Sequence, residues 1–187
     1  MAGRFLKRLG RFVLPRRRGF LRDQSGATMI EFGILAIPFF AILGAILETA
    51  VVLLSGQVLE SAVQDSGRII RIGQATGNYT IDNFREDLCG RLFGLFKNCA
   101  GLHIQVSVID NFASANYKPP VDFNCKTSNC DWTQPQSFQP GVGSDVIVVQ
   151  AYYRWPLVLN LGASLANLPD NQVLLASVTV FRNEPFS

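Results

Sequence analysis

The sequence that decides the fold is "RDQSGATMIEFGILAIPFFAILGAILETAVVLLSG", residues 22–56. Its apolar run has no charge from residue 32 to residue 47, and it continues through residue 54 if the acid Glu48 is tolerated. This is close to the length of about 20 residues with which a helix crosses a bilayer. We therefore predict one transmembrane helix over residues 27–55. A second carboxylate, Glu31, stands at the entrance of this helix and needs an explanation.

The net charge of +3 is divided unevenly along the chain. Residues 1–26 hold eight Lys and Arg and one Asp, which gives +7, whereas the rest of the chain is −4. Since the basic end of a membrane helix stays in the cytoplasm, the chain beyond about residue 55 is predicted to be exported. No basic patch follows residue 26, which argues against nucleic-acid binding. A cleaved secretory signal is the alternative, but no clean cleavage site follows the apolar run.

The cysteines are even in number and all lie on the predicted exported side: Cys89, Cys99, Cys125 and Cys130. An oxidising compartment favours disulfides. Pairing Cys89 with Cys99 and Cys125 with Cys130 is the simplest of three possibilities. A four-cysteine zinc site is the alternative, but the spacings do not form two Cys-x-x-Cys pairs. We therefore expect two disulfides and no metal.

A stem is predicted over residues 56–76. Within it, the helix should continue outward to about residue 74. A helical period puts five residues on one stripe: Val58, Ala62, Asp65, Ile69 and Ile72. In the membrane half, Pro38 should kink the helix because it removes one backbone hydrogen bond. Gly44 permits close helix approach and, with Pro38 and Glu48, is a candidate for helix packing.

Residues 77–187 are predicted to form the exported domain. Thr80 or Asp82 can cap a second helix that runs to about residue 93. Strands are predicted over residues 102–109, 145–155 and 171–183 from alternating or β-branched sequence. Residues 111–144 should form a long exposed loop. The fold class is α+β, with the long N-terminal helix packed against a small antiparallel sheet.

Catalytic groups are scarce in this sequence. It has one histidine, His103, on a predicted strand, and none of the common nucleophile, phosphate-loop or metalloprotease motifs. We expect no enzymatic activity and no cofactor.

The position of Glu31 carries a resemblance to a known signal. A carboxylate at the centre of a membrane helix costs about 2.5–3.5 kcal/mol on insertion scales, although one at the interface costs little. A basic tail is followed by Gly26, then Ala27, and then an acid at the fifth position after the glycine. This arrangement resembles the class III signal of the type IV pilin superfamily. This resemblance implies that a prepilin peptidase cuts between Gly26 and Ala27, so that residues 1–26 are a cleaved cytoplasmic leader. Glu31 would then set the axial register by pairing with the new ammonium group of a neighbouring subunit.

Four segments of the sequence point to one family within this superfamily: "GATMIEFGILAIPFF", "AVQDSGRIIRIGQA", "FREDLCGRL" and "VFRNEPF". Together they resemble the TadE-like family, minor pilins (pseudopilins) of the tight-adherence (Tad/Flp) pilus. The leader is long for this class, and the chain is far larger than the major pilins. The resemblance implies a single-pass inner-membrane protein with a periplasmic domain, incorporated into or initiating a pilus. The implied partners are the prepilin peptidase, the major and other minor pilins, and the inner-membrane assembly platform with its ATPase.

A different class of function stays open at this point. The chain could be an uncleaved, signal-anchored periplasmic binding domain with residues 111–144 as its ligand loop. Five aromatic residues of that loop could form a recognition surface: Phe112, Tyr117, Phe123, Trp132 and Phe138. They could equally pack the loop around its own disulfide.

Overall fold

The computed structural model describes residues 25–75, 77–97, 99–115, 117–125, 130–159, 165–169 and 171–186. The predicted leader therefore lies outside the described residues, apart from Ser25 and Gly26. The chain divides into two compact units, Met1–Phe40 and Ala41–Ser187. The finer division into leader, membrane helix, stem and exported domain stays a prediction.

One long helix, α1, spans Ser25–Arg71 and includes Pro38. The predicted C-terminal end at about residue 74 is confirmed to within three residues. Its part Thr28–Arg71 is long and apolar enough to cross a membrane, by length and composition. In the first unit its large apolar side chains are exposed, among them Met29, Ile30 and Phe32. Such exposure is unfavourable in water and is expected in lipid.

The sheet has four strands in the order β2-β1-β3-β4: β1 His103–Ile109, β2 Ser137–Phe138, β3 Val146–Pro156 and β4 Gln172–Arg182. β1 pairs with β3, and β3 with β4, in antiparallel fashion. These are the three predicted strands, and the α+β fold is confirmed. The short β2 was not predicted, and it pairs with β1 in parallel, so the sheet is mixed. Two residues are too few to show an alternating pattern in the sequence.

The outer part of α1 is a core element. Leu59, Val63 and Ile70 are almost fully buried against α2 and the helix-facing side of the sheet. The predicted stripe was wrong at Asp65, which is exposed and forms an ion pair with Arg91 (3.8 Å). The buried face is rotated by about one residue, because an apolar face can be drawn through Leu59 and Val63 without burying a carboxylate.

The second helix, α2, spans Ile81–Gly90. Thr80 caps it as predicted: the Thr80 hydroxyl accepts from the Asn83 N–H, and the Asn83 side chain accepts from the Thr80 N–H (2.9 Å). It ends three residues earlier than predicted, because Phe93 and Gly94 both adopt positive φ (51° and 70°) in a turn.

Both predicted disulfides are present. Cys89–Cys99 joins α2 to the chain before β1, with Cα atoms 6.0 Å apart. Cys125–Cys130 closes a loop between β1 and β2, with Cα atoms 6.1 Å apart. Each bridge limits the freedom of the unfolded chain.

Residues 182–186 bind the connection that leads into β3. Asn183 is almost fully buried, and its backbone N–H donates to the Asp145 carbonyl (2.8 Å). Its side-chain amide donates to the carbonyl oxygens of Pro140 (2.9 Å) and Val142 (3.0 Å). One side chain therefore satisfies two carbonyl groups of an irregular segment.

The same C-terminal residues contact the end of α1. The Glu184 N–H donates to the Arg71 carbonyl (2.9 Å), which lies in the last turn of the helix. Gly73 has a φ of +76°, and a Cβ at that position would lie 2.6 Å from the Phe186 ring. We call residues 182–186 the C-terminal clamp, since they join α1 to the connection before β3.

We predict that Asn183→Ala lowers the free energy of unfolding by about 1–3 kcal/mol, because the carbonyls of Pro140 and Val142 lose their donor. Glu184→Ala is the matched control, because its exposed ion pair with Arg71 (3.7 Å) contributes about 0–1 kcal/mol. Urea unfolding of the full chain in detergent, followed by circular dichroism, measures both. Equal losses in the two variants would show that the clamp does not depend on Asn183.

Candidate functional site

The predicted processing site lies near the N-terminal end of the described residues, on α1. Gly26 is exposed, and a Cβ on it would meet nothing within 4 Å. Within the described residues, no side chain at Gly26 shields the bond that follows it.

Glu31 lies in the same unit, also on α1. It is exposed between exposed apolar side chains, including Ile30 and Phe32. Within the described part of the chain it has no hydrogen-bond or ion-pair partner. Pro38 is exposed too and lies inside the helix. In lipid, this arrangement leaves a carboxylate that needs a partner from another molecule.

Glu48, in the second unit, has a different environment. One oxygen of its carboxylate accepts hydrogen bonds from the backbone N–H groups of Val158 and Leu159, the latter at 3.0 Å. Gly44, one turn earlier, is covered by the same loop: a Cβ there would lie 2.8 Å from Leu159 Cδ1. These two predicted packing residues are thus brought together by the chain's own loop after β3.

The histidine is on the opposite side of the sheet from α1. His103 is 2% exposed, and its ring stacks on Trp132 with centroids 4.2 Å apart. The Arg154 guanidinium group lies over the Trp132 ring, 4.4 Å from its centroid. Burial, with the nearby cations Arg154 and Arg85, lowers the pKa of His103 to about 4. The imidazole is neutral near pH 7 and is closed to solvent, which favours a packing role.

Most described residues of the loop between β1 and β2 are exposed, as predicted, but part of the loop packs on this face of the sheet. Trp132 packs on His103. Phe138, in β2, instead packs on Phe84 in the core (5.7 Å between centroids). The Gln105 side chain donates to the Pro135 carbonyl (3.2 Å). Of the five loop aromatics, Phe112, Tyr117 and Phe123 remain substantially exposed. Among the residues that the structure describes, no group of three or more His, Cys, Asp or Glu could hold a metal ion.

The sequence does not indicate the two partners of Glu48, because these backbone amides follow it by 110 and 111 residues. The only available signal was the segment "PLVLNLG" after β3, which is apolar although no strand was predicted there.

We predict that Glu48→Ala speeds amide hydrogen exchange at Val158 and Leu159 about tenfold, because hydrogen bonds to a charged acceptor contribute about 1.5–3 kcal/mol. Glu48→Gln keeps an acceptor oxygen and should have a smaller effect. Glu60→Ala, an exposed acid elsewhere on α1, is the control. Exchange is measured on the full chain in detergent micelles. Unchanged exchange at both amides in Glu48→Ala would contradict the role of this carboxylate.

A comparison with known families matches a segment that contains most of α1. Residues 26–68 match the model of a family described as TadE-like protein. No curated protein and no solved structure matches the chain. The match begins at Gly26, includes Glu31 and Glu48, and does not reach α2, the sheet or the C-terminal clamp. The resemblance to the TadE-like family that was stated from the sequence is therefore confirmed over this segment, which contains most of helix α1.

Proposed function

We propose that this protein is a minor pilin (pseudopilin) that enters or initiates a tight-adherence type IV pilus after a prepilin peptidase cuts it between Gly26 and Ala27. The observation that carries the proposal is Glu31, an acid that lies exposed on an apolar helix five residues after Gly26 and is unpaired within the described chain. The family match that begins at Gly26 supports it.

Processing at this bond leaves the rest of the helix intact. Gly26 is exposed and has no side chain to obstruct a protease. The basic segment is removed with its charge of +7. The mature chain then begins with an ammonium group on Ala27 directly before the apolar run.

Assembly uses that new ammonium group. When two helices lie side by side in lipid, Glu31 of one chain can pair with the ammonium group of the other. Two ions that are costly alone become one compensated pair. The exposed apolar side chains around Glu31 provide the lateral packing surface of the helix.

The topology follows from charge and redox chemistry. The basic segment stays in the cytoplasm, α1 crosses the inner membrane, and the disulfide-containing domain lies in the periplasm. The partners are the prepilin peptidase, the major and other minor pilins, and the inner-membrane platform.

We predict that the protein from its native membranes begins at Ala27, as intact mass and N-terminal sequencing would show. Gly26→Val should stay full length, because a branched side chain next to the scissile bond obstructs the peptidase. Gly33→Ala is the control, since that glycine is in the same helix and a Cβ on it also meets nothing within 4 Å. A wild-type chain that keeps residues 1–26 would instead be an uncleaved signal-anchored domain.

We also predict that Glu31→Gln is processed normally but is recovered in sheared pili at less than a tenth of the wild-type amount. The loss follows from removing one partner of a desolvated ion pair, which costs about 3–5 kcal/mol. Glu60→Gln, an exposed acid on the same helix, is the control. Quantitative immunoblotting of sheared and membrane fractions measures both variants. Normal recovery of Glu31→Gln would reject the register role.

A further inference from the structure

An apolar groove lies between α1 and the edge of the domain, within the second unit. It has a volume of about 530 Å³. The α1 side is formed by Gly44, Leu47 and Val51, and the domain side includes Leu95, Trp155 and Val158. Its charged residues are Glu48, which already binds the loop after β3, and Lys97. Lys97 is exposed, and no residue in the described ranges pairs with it.

The domain side of the groove has unusually exposed apolar residues. Val158 is 90% exposed, and Leu95 is 38% exposed. Phe93, two residues before Leu95 in the turn after α2, is 83% exposed and has a φ of +51°. Positive φ is unfavourable for a bulky residue, and here burial does not offset it. We call Leu95, Lys97 and Val158, which line the groove, the apolar rim.

The rim lies at the level where α1 should leave a membrane. Residues 28–47 number twenty, about the length that crosses the hydrocarbon core, and Glu48 is the next residue. Because Glu48 is bound to the domain, the membrane span in this inference ends before Glu48 and not at residue 55, the bound predicted from the sequence. On α1 itself Leu43, Ile46 and Leu47 are exposed at this level. The surface of the rim is therefore continuous with a lipid-facing helix surface. An indole and a lysine near one another suit the membrane interface, where tryptophan is enriched and an ammonium group meets lipid phosphate.

A second copy of α1 fits this groove less well. Close packing of membrane helices depends on small residues, and Gly44 is the small residue on this wall. Its open side is already filled by Leu159 of the same chain. A flexible acyl chain needs no such close backbone approach.

We propose that the apolar rim inserts into the interface of the bilayer where α1 leaves it, with a phospholipid acyl chain in the groove and the lipid phosphate at Lys97. This inference rests on α1 spanning a membrane and not on the role in a pilus. The hydrogen bonds to Glu48 then hold the loop after β3 at the depth of the lipid headgroups.

The two tryptophans of the chain provide the test. Trp155 lines the groove, whereas Trp132 stacks on His103 on the opposite face of the sheet. The full chain is reconstituted in phosphatidylglycerol and phosphatidylethanolamine vesicles whose acyl chains carry bromine near the headgroup. Trp132→Phe reports on Trp155, and Trp155→Phe reports on Trp132. We expect bromine to quench Trp155 at least about threefold more than Trp132; equal quenching overturns the proposal.

Further variants separate the rim from its alternatives. Leu95→Ser with Val158→Ser should reduce the quenching of Trp155 by about half or more, whereas Val178→Ser, an exposed position on β4, should not. Lys97→Glu should reduce it in the same anionic vesicles. Circular dichroism verifies that each variant is folded before its quenching is compared. Excess lipid separates the copies of the chain from one another. If bromine quenches Trp155 only under that dilution, a second copy fills the groove at higher protein density, and the proposal fails.

Discussion

The burial of one face of α1 from Ser55 to Ile70 is the interaction on which the rest of the domain depends. The helix-facing side of the sheet, α2 and the turn after α2 all bury their apolar residues against this face. Before Ser55 most of the apolar side chains of the same helix are exposed instead. A helix that is apolar all round suits lipid, and one that is apolar on a single face suits a protein core. The change of pattern along one helix therefore determines where the domain can begin.

Polar groups then determine how β3 is held along that helix. The connection before β3 is bound by Asn183 of the C-terminal clamp, and the clamp also binds the end of α1 through Arg71. The connection after β3 is bound by Glu48, more than six helical turns earlier on α1. Both connections are irregular backbone, whose N–H and C=O groups need partners. The central strand is thus fixed at its two ends by opposite parts of one helix.

The elements with a clear period could be predicted from the sequence, but their contacts could not. β1, β3 and β4 follow from alternation and β-branched content, and Thr80 was recognisable as a cap because capping depends on neighbours three residues apart. The face of α1 was misplaced at Asp65, since more than one apolar stripe can be drawn on a helix rich in Ile and Val. The packing of Trp132 on His103 joins a loop to a strand, so no local pattern indicates it. Glu48 is the extreme case, because its partners lie in a segment with no signal of its own.

The two acids of α1 differ in what the chain provides for them. Glu48 binds two backbone amides of its own domain, which compensates its charge without any other molecule. Glu31 has no such partner in the described residues, although its apolar surroundings make an unpaired charge more costly there. An acid retained under those conditions is explained only if another molecule completes the pair. Gly26, five residues earlier, supplies the complementary charge in the proposed processing, because a cut after that glycine would place an ammonium group on the same apolar helix of each subunit.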